Sequence, residues 1–161
     1  MTTQDCLIAP APVADAESAE LLRRYFADLS LRYYRRPATE AELDAAMSED
    51  PSDDLVPPHG VFLMARIGGV VAGCAGVRRR TGFGELTRMF VLPEFRGRGV
   101  AGRLLVTAED HARAMGLPLM RLNTRLDLLE ARALYARHGY REIPSYGDAP
   151  YAECWFEREL S

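Results

Sequence analysis

The chain has 161 residues, 48% of them hydrophobic, and a net charge of −3. That apolar content suits one globular domain, residues 1–161, around a single core. No run approaches eighteen apolar residues, so no membrane-spanning helix is expected, and the acidic balance disfavours a general nucleic-acid binder.

The N-terminus, MTTQDCLIAPAPVADAE, lacks a basic start followed by an apolar run. A secretory signal is therefore not expected, and the reading is cytoplasmic. Residues 5–9 form a short candidate strand. From Asp15 to Leu31, Ala19, Leu22, Tyr25, Phe26 and Leu29 recur at helical spacing. Residues 39–47 predict a second helix, with Thr39 and Glu42 as a capping box. An acidic, proline-rich loop follows over 48–60. Residues 61–67 and 70–77, joined by Gly68-Gly69, predict a β-hairpin. RRRTGFG (78–84) reads as a turn, and 85–91 as a third strand of the meander. Over 99–115 an apolar face repeats at Val100, Leu104, Leu105, Ala108, Ala112 and Met115, and Gly116 and Pro118 stop the helix. A buried strand is expected at 119–124. Asp127 and Glu130 suggest a capping box for a helix ending at His138-Gly139, and 140–144 and 151–159 are the last two strands.

Cys6, Cys74 and Cys154 are three and scattered, which argues for core-filling thiols rather than a disulfide framework or a zinc site. The three histidines fall in no metal-ligand spacing, so no metal is expected. All twenty basic residues are arginine, and a P-loop is excluded because it needs a lysine after its glycines.

The stretch VLPEFRGRGVAGRLL (91–105) crowds Gly97, Gly99 and Gly102 at the start of a predicted helix. An interior helical glycine costs about 1 kcal/mol against alanine. The letters also spell G-x-G-x-x-G, but the dinucleotide fingerprint fails here. Its first glycine should follow the strand at once, whereas Leu92-Pro93-Glu94-Phe95-Arg96 intervene. The next strand ends in Asn123-Thr124 and offers no carboxylate for a ribose. A hairpin meander precedes the motif where parallel units should follow it. Bare amides at a helix start instead make an anion site, strengthened by the helix dipole. No Ser, Thr, Asp or Asn caps this helix, and Arg96, Arg98 and Arg103 surround it.

With these neighbours the sequence resembles the GNAT superfamily of acetyl-CoA-dependent N-acyltransferases. Arg96-Gly97-Arg98-Gly99-Val100-Ala101 is similar to the family's R/Q-x-x-G-x-G/A loop, and Val91-Leu92-Pro93 to the turn before it. Ala131 to Tyr140 is similar to A-x-x-L-Y-x-x-x-G-F/Y. The resemblance is specific over 85–143, rests on hairpin order over 61–84, and is weak over the first 60 residues. Many members carry an asparagine seven residues before the tyrosine, where this chain has Leu128.

The resemblance implies an α/β (α+β) GNAT fold: one mixed central sheet of about six to seven strands, mostly antiparallel, flanked by about four helices. It implies acetyl-CoA as cosubstrate, its pyrophosphate on the loop and helix start that run from Arg96 and Gly97 through Arg98, Gly99, Val100, Ala101 and Gly102 to Arg103. The pantetheine arm would pair along Met89, Phe90 and Val91, and Asn123 would offer a polar contact. Tyr135 matches the tyrosine that protonates the departing thiolate. Glu85 falls in the register of a general base, against the plainer reading of an ion pair with an arginine such as Arg88. The acceptor pocket would draw Tyr33, Tyr34 and Arg35 from the first helical region, and Tyr146, Asp148, Tyr151 and Trp155 from the last hairpin. Asp44, Glu49, Asp50, Asp53 and Asp54 would make its approach acidic. The reaction implied is direct acetyl transfer to a primary amine of a small molecule or peptide. The alternative is a non-catalytic acyl-CoA-binding module. A homodimer is compatible with the family; a nucleic-acid or membrane partner is not implied.

Overall fold

The computed structural model describes residues 5–149 and 152–160. In chain order the elements are β1 (Cys6–Pro10), α1 (Ala16–Tyr34), α2 (Glu40–Glu49), β2 (Gly60–Ile67), β3 (Val70–Arg80) and β4 (Phe83–Val91). A 3-10 turn (Pro93–Phe95) leads to α3 (Val100–Ala114), β5 (Leu119–Thr124), α4 (Leu129–Arg137), β6 (Arg141–Ile143) and β7 (Cys154–Glu159). The strands form one sheet in the order β1-β2-β3-β4-β5-β7-β6. Every pairing is antiparallel except β4 with β5. This is the mixed, mostly antiparallel sheet with four helices that the sequence implied. No helix among the described residues is long and apolar enough to cross a membrane.

Alternation along the strands splits the core between the two faces. One face carries Leu63, Ala65, Ala75, Val77, Leu86, Met120 and Leu122, and the predicted stripe of α3 (Leu104, Leu105, Ala108, Ala112) packs on it. The other face carries Phe62, Met64, Cys74 and Phe90, covered by Leu21 and Leu22 of α1 and by Leu55. Each fully buried leucine contributes about 1.5–3 kcal/mol, so α3 and α1 clamp the sheet from opposite sides. All three cysteines are free and buried.

The structure corrects four sequence expectations. α1 runs on to Tyr34 and ends on Arg35 in the left-handed conformation (φ 59), whose amide bonds Leu31 O at 2.8 Å. The RRR run is strand, not turn: β3 continues to Arg80, and only Thr81-Gly82 separate it from β4. The capping box at α4 does not form. Leu128 is the N-cap without a side-chain bond, and Asp127 pairs with Arg125 at 3.0 Å instead. The strand expected from 140 shortens to Arg141–Ile143, and β7 begins at Cys154. At α2 the expected box does form, with Glu42 N on Thr39 Oγ1 at 3.1 Å and Thr39 N on Glu42 Oε1 at 2.9 Å.

Two irregularities in β4 position everything that follows. Between Thr87 and Phe90 the register against β3 slips, so the strand bulges. Arg88, inside the bulge, has φ 57, a conformation a non-glycine residue rarely adopts. Its carbonyl accepts from the buried thiol of Cys74 at 3.2 Å. β4 also meets β5 only at Gly84↔Met120 and Glu85↔Arg121. Beyond that point the two parallel strands part, and the edge of Met89–Val91 on that side is left without a strand partner.

Candidate active site

The parted strands border a cavity of about 700 Å³, within the range that buries a small ligand. Met89 and Phe90 line it from β4, Leu122 and Asn123 from β5, and Leu128, Ala131 and Tyr135 from α4. At the other end α1 contributes Tyr33 and Tyr34, and the last loop contributes Tyr146, Asp148 and Trp155. The expected catalytic and acceptor residues within the described chain thus share one cavity, except Arg35, which is spent on ending α1. Tyr151 lies outside the described residues.

The glycine-rich loop stands where β4 ends. Gly97 and Gly99 have φ 78 and 77, and a β-carbon on either would project into open space. Gly99 is the N-cap of α3 and no side chain caps that helix. Its first amides therefore lack intrahelical partners and face outward. Val100 is buried and Ala101 packs against the core, so each can offer only its amide to a ligand. Gly102 sits 3.4 Å, measured from an added β-carbon, from His138 Nε2. Arg96 bonds Val91 O through Nε at 3.0 Å, bracing the loop against the strand, and Arg98 stacks over Phe95 at 5.4 Å. Arg103 is exposed. The cavity-lining Met89 and Phe90 precede the short segment Val91–Arg96 in the chain, and the glycine-lined helix start follows it.

Tyr135 is buried, 5.8 Å from the ring of Tyr140. Burial raises its pKa well above the usual tyrosine value, so it holds its proton at neutral and mildly alkaline pH. Burial likewise raises Tyr146, reinforced by the charge of Glu85.

Glu85 is not partnered by Arg88. It sits in a row of alternating charge set by strand register: Arg78 opposite Glu85, Glu85 opposite Arg121, Arg121 opposite Glu157, Glu157 opposite Arg141. Cross-strand neighbours of opposite sign support one another. Oε1 of Glu85 lies 3.8 Å from Arg78 and accepts from Arg80 at 3.1 Å, while Oε2 accepts from Tyr146 Oη at 3.1 Å. Arg121 is 3.6 Å from Glu157 and stacks over Phe83 (4.6 Å) and Tyr146 (5.5 Å). Asn123, two residues further along β5, lines the same cavity as Tyr146.

Arg88 has a different task. It is 2% exposed and lies 5.0 Å over the Phe26 ring. Its donors go to Ser52 Oγ (3.0 Å), Asp50 Oδ2 (3.1 Å), Thr87 Oγ1 (3.0 Å) and Asp50 O (2.9 Å). Arg78 takes Asp54 at 2.6 Å, and Arg23 takes Asp44 at 2.9 Å. The acidic loop is therefore bolted to the sheet by arginines. Asp44, Asp50 and Asp54 are held in ion pairs, while Glu49 and Asp53 are exposed, so only part of the expected acidic charge on the approach is neutralised.

Sequence reasoning missed Arg78, Arg80 and Arg121, and gave Arg88 only as a partner for Glu85. The signal was present for two of them. Once Val77 is placed inward, alternation sends Arg78 and Arg80 together to the opposite face.

The chain matches the model of the acetyltransferase (GNAT) family over residues 23–140. It is 40% identical over 99 residues to the IAA acetyltransferase of Azospirillum brasilense, covering 60% of this chain and 63% of that one. The match spans less than two thirds of that relative's length. Among solved structures, an acetyltransferase of the GNAT family from Staphylococcus aureus Mu50 superposes with a TM-score of 0.78 at 18% identity, over 98% of this chain and 100% of that one. The PaiA N-acetyltransferase of Thermoplasma acidophilum, in complex with coenzyme A, gives 0.72 at 18% identity over 96% and 99%. At these identities the two structures speak to the fold, and the family match carries the assignment. The chain belongs to the GNAT acetyltransferase family.

Proposed function

We propose that the chain, one domain by this reading, transfers the acetyl group of acetyl-CoA directly to a primary amine of a small molecule or peptide. The observation that carries this reading is the join of two features at Val91–Arg96: an uncapped, glycine-lined helix start and the unpaired edge of a parted strand. A phosphate group needs the first, and an extended amide-bearing arm needs the second. Acetyl-CoA has both, in that order, and ends in the thioester. The relatives' names, and coenzyme A in the Thermoplasma structure, agree with it.

The amides of Arg98 to Gly102 hold the pyrophosphate, with Arg96 and Arg103 adding charge. Met89, Phe90 and Val91 bind the arm through their backbone, and an amide of this edge receives the thioester oxygen. The amine nitrogen attacks the carbonyl carbon, a tetrahedral centre forms, and its collapse breaks the carbon–sulfur bond. Tyr135, held protonated by burial, gives its proton to the sulfur. A lysine-like amine is neutral in only about one molecule in 10³ at pH 7, a cost of about 4–5 kcal/mol. Glu85 and Tyr146 lie where they can accept that amine's hydrogen bonds and pass its proton outward.

The test mixes the purified protein with acetyl-CoA and a panel of amines and follows free thiol, with calorimetry of acetyl-CoA binding alongside. Thiol release that requires both protein and an amine is the expected result. Saturable binding with no turnover on a broad panel would favour the acyl-CoA-binding module instead.

A further inference from the structure

The residues about Glu85 do not describe a pocket for a simple cation. The row across the sheet, with Arg80 and the terminal Asp54, contains four guanidiniums (Arg78, Arg80, Arg121, Arg141) and three carboxylates (Asp54, Glu85, Glu157). Three of the arginines are committed elsewhere. Arg78 is buried and donates to Asp54 and to Pro51 O. Arg121 stacks between rings beside Glu157. Arg141 does not line the cavity. Of this row only Arg78, Arg80 and Glu85 line the cavity, and with Arg78 committed to Asp54, Arg80 is the cation left beside Glu85 on that stretch of wall. Its side chain is 45% exposed, and one nitrogen, Nη2, reaches Glu85. A guanidinium has five donors in a planar fork, so Arg80, which lines the cavity, has donors beyond the one that Glu85 takes. Beside it stand a carboxylate with lone pairs to spare and a phenol, Tyr146, whose oxygen still accepts.

A bare amine uses only the acceptors in this set and meets Arg80 as a repelling neighbour. An amine with an adjacent anionic oxygen group uses both halves. Resting on the acetyltransferase reading above, we propose that the acceptor is zwitterionic: a primary amine carrying a carboxylate or phosphate. Arg80 clamps the anion, while Glu85 and Tyr146 receive the amine. Arg–oxyanion pairing is directional as well as strong, so the clamp also turns the nitrogen toward the parted edge of β4.

The experiment compares matched acceptors: each of the common amino acids against its decarboxylated amine, and 2-aminoethyl phosphate against ethanolamine. The rate is thiol release from acetyl-CoA, with acetyl-CoA binding measured separately. At least one anionic acceptor should exceed its partner in kcat/KM by tenfold or more. Which arm responds identifies carboxylate or phosphate. In Arg80→Gln that ratio should collapse toward one, and Arg80→Lys should restore part of it. Arg80 is half-exposed, so acetyl-CoA affinity in both variants reports that the fold is intact. Amines turned over as well as their anionic partners, or an unchanged ratio in Arg80→Gln, would each overturn the proposal. Failure to bind acetyl-CoA, or binding with turnover of neither class, would instead overturn the acetyltransferase reading on which it rests.

Discussion

Gly99 separates what the helix needs from what the ligand needs. An aspartate at an N-cap interacts favourably with the helix dipole, by about 0.3–1 kcal/mol. The left-handed backbone at φ 77 opposes it by about 1–2 kcal/mol. The two partly cancel, so Gly99→Asp should shift the melting temperature by no more than a few degrees. The new carboxylate, however, projects into the space where phosphates would sit and repels them. Acetyl-CoA affinity should fall at least 100-fold by calorimetry, and a binding loss accompanied by unfolding would contradict the argument. Tyr135 gives the complementary case. Tyr135→Phe should lower kcat by about 10²-fold, the lower end of general-acid effects, with acetyl-CoA affinity unchanged. Its sign in pH is fixed by the upward shift. The acid form persists beyond the ordinary tyrosine pKa, so the rate should rise with the neutral fraction of the acceptor amine and show no descending limb below about pH 10. A rate profile that turns down near pH 8–9 would remove Tyr135 as the acid.

At the scale of elements, β4 is shaped by a residue that ordinary strand rules disfavour. In a regular strand glycine is worse than alanine because it costs more backbone entropy and packs nothing. At Arg88 the order should invert. Both substitutions lose the guanidinium that ties Asp50, Ser52 and Thr87 to the bulge. Glycine alone accepts φ 57 without strain. Urea unfolding should therefore place Arg88→Gly about 1 kcal/mol above Arg88→Ala, with both below the parent. The sequence declared β4 and the glycine loop clearly, because strand alternation and uncapped glycines are local signals. It also gave the α3 stripe and the α2 capping box, for the same reason. It did not declare the bulge, which depends on Cys74 and Arg88 meeting across two strands, 14 residues apart in the chain. Asp127 looked like a cap because D-x-x-E spacing is local, yet Arg125 lies closer and takes it. The RRR run read as a turn because charge usually marks solvent. Here the charges are paired across the sheet, and that pairing is visible only once register is known. Glu85 was singled out from the family resemblance, and its arginine partners were misassigned for the same reason.

The whole molecule closes through one buried carboxylate. Glu109 of α3 is 1% exposed, in a helix whose other inward positions are apolar. Its Oε2 accepts from Tyr140 Oη at 2.7 Å and its Oε1 from Arg158 Nη1 at 2.8 Å. Tyr140 follows α4, and Arg158 lies on β7, the strand between β5 and β6. One side chain thus ties the helix that begins at the glycine loop to the last helix and the last strand. Removing one member of such a cluster leaves the others buried without partners, and that cost exceeds the lost bonds themselves. Arg158 is one third exposed and can turn toward water, so the full penalty for a broken buried pair does not apply. Glu109→Leu, which keeps the volume, should cost about 2–3 kcal/mol in urea unfolding. Adding Tyr140→Phe should then cost less than the same change in the parent, because the hydroxyl it removes no longer has an acceptor. The coupling in that double-mutant cycle should be about 1 kcal/mol or more. Acetyl-CoA affinity should move little in either variant, because Leu104 and Leu105, fully buried one turn after the loop, hold the start of α3 independently. A cycle that adds without coupling would mean that α3 is held to β7 by apolar packing alone, and that the buried carboxylate contributes nothing to closing the fold.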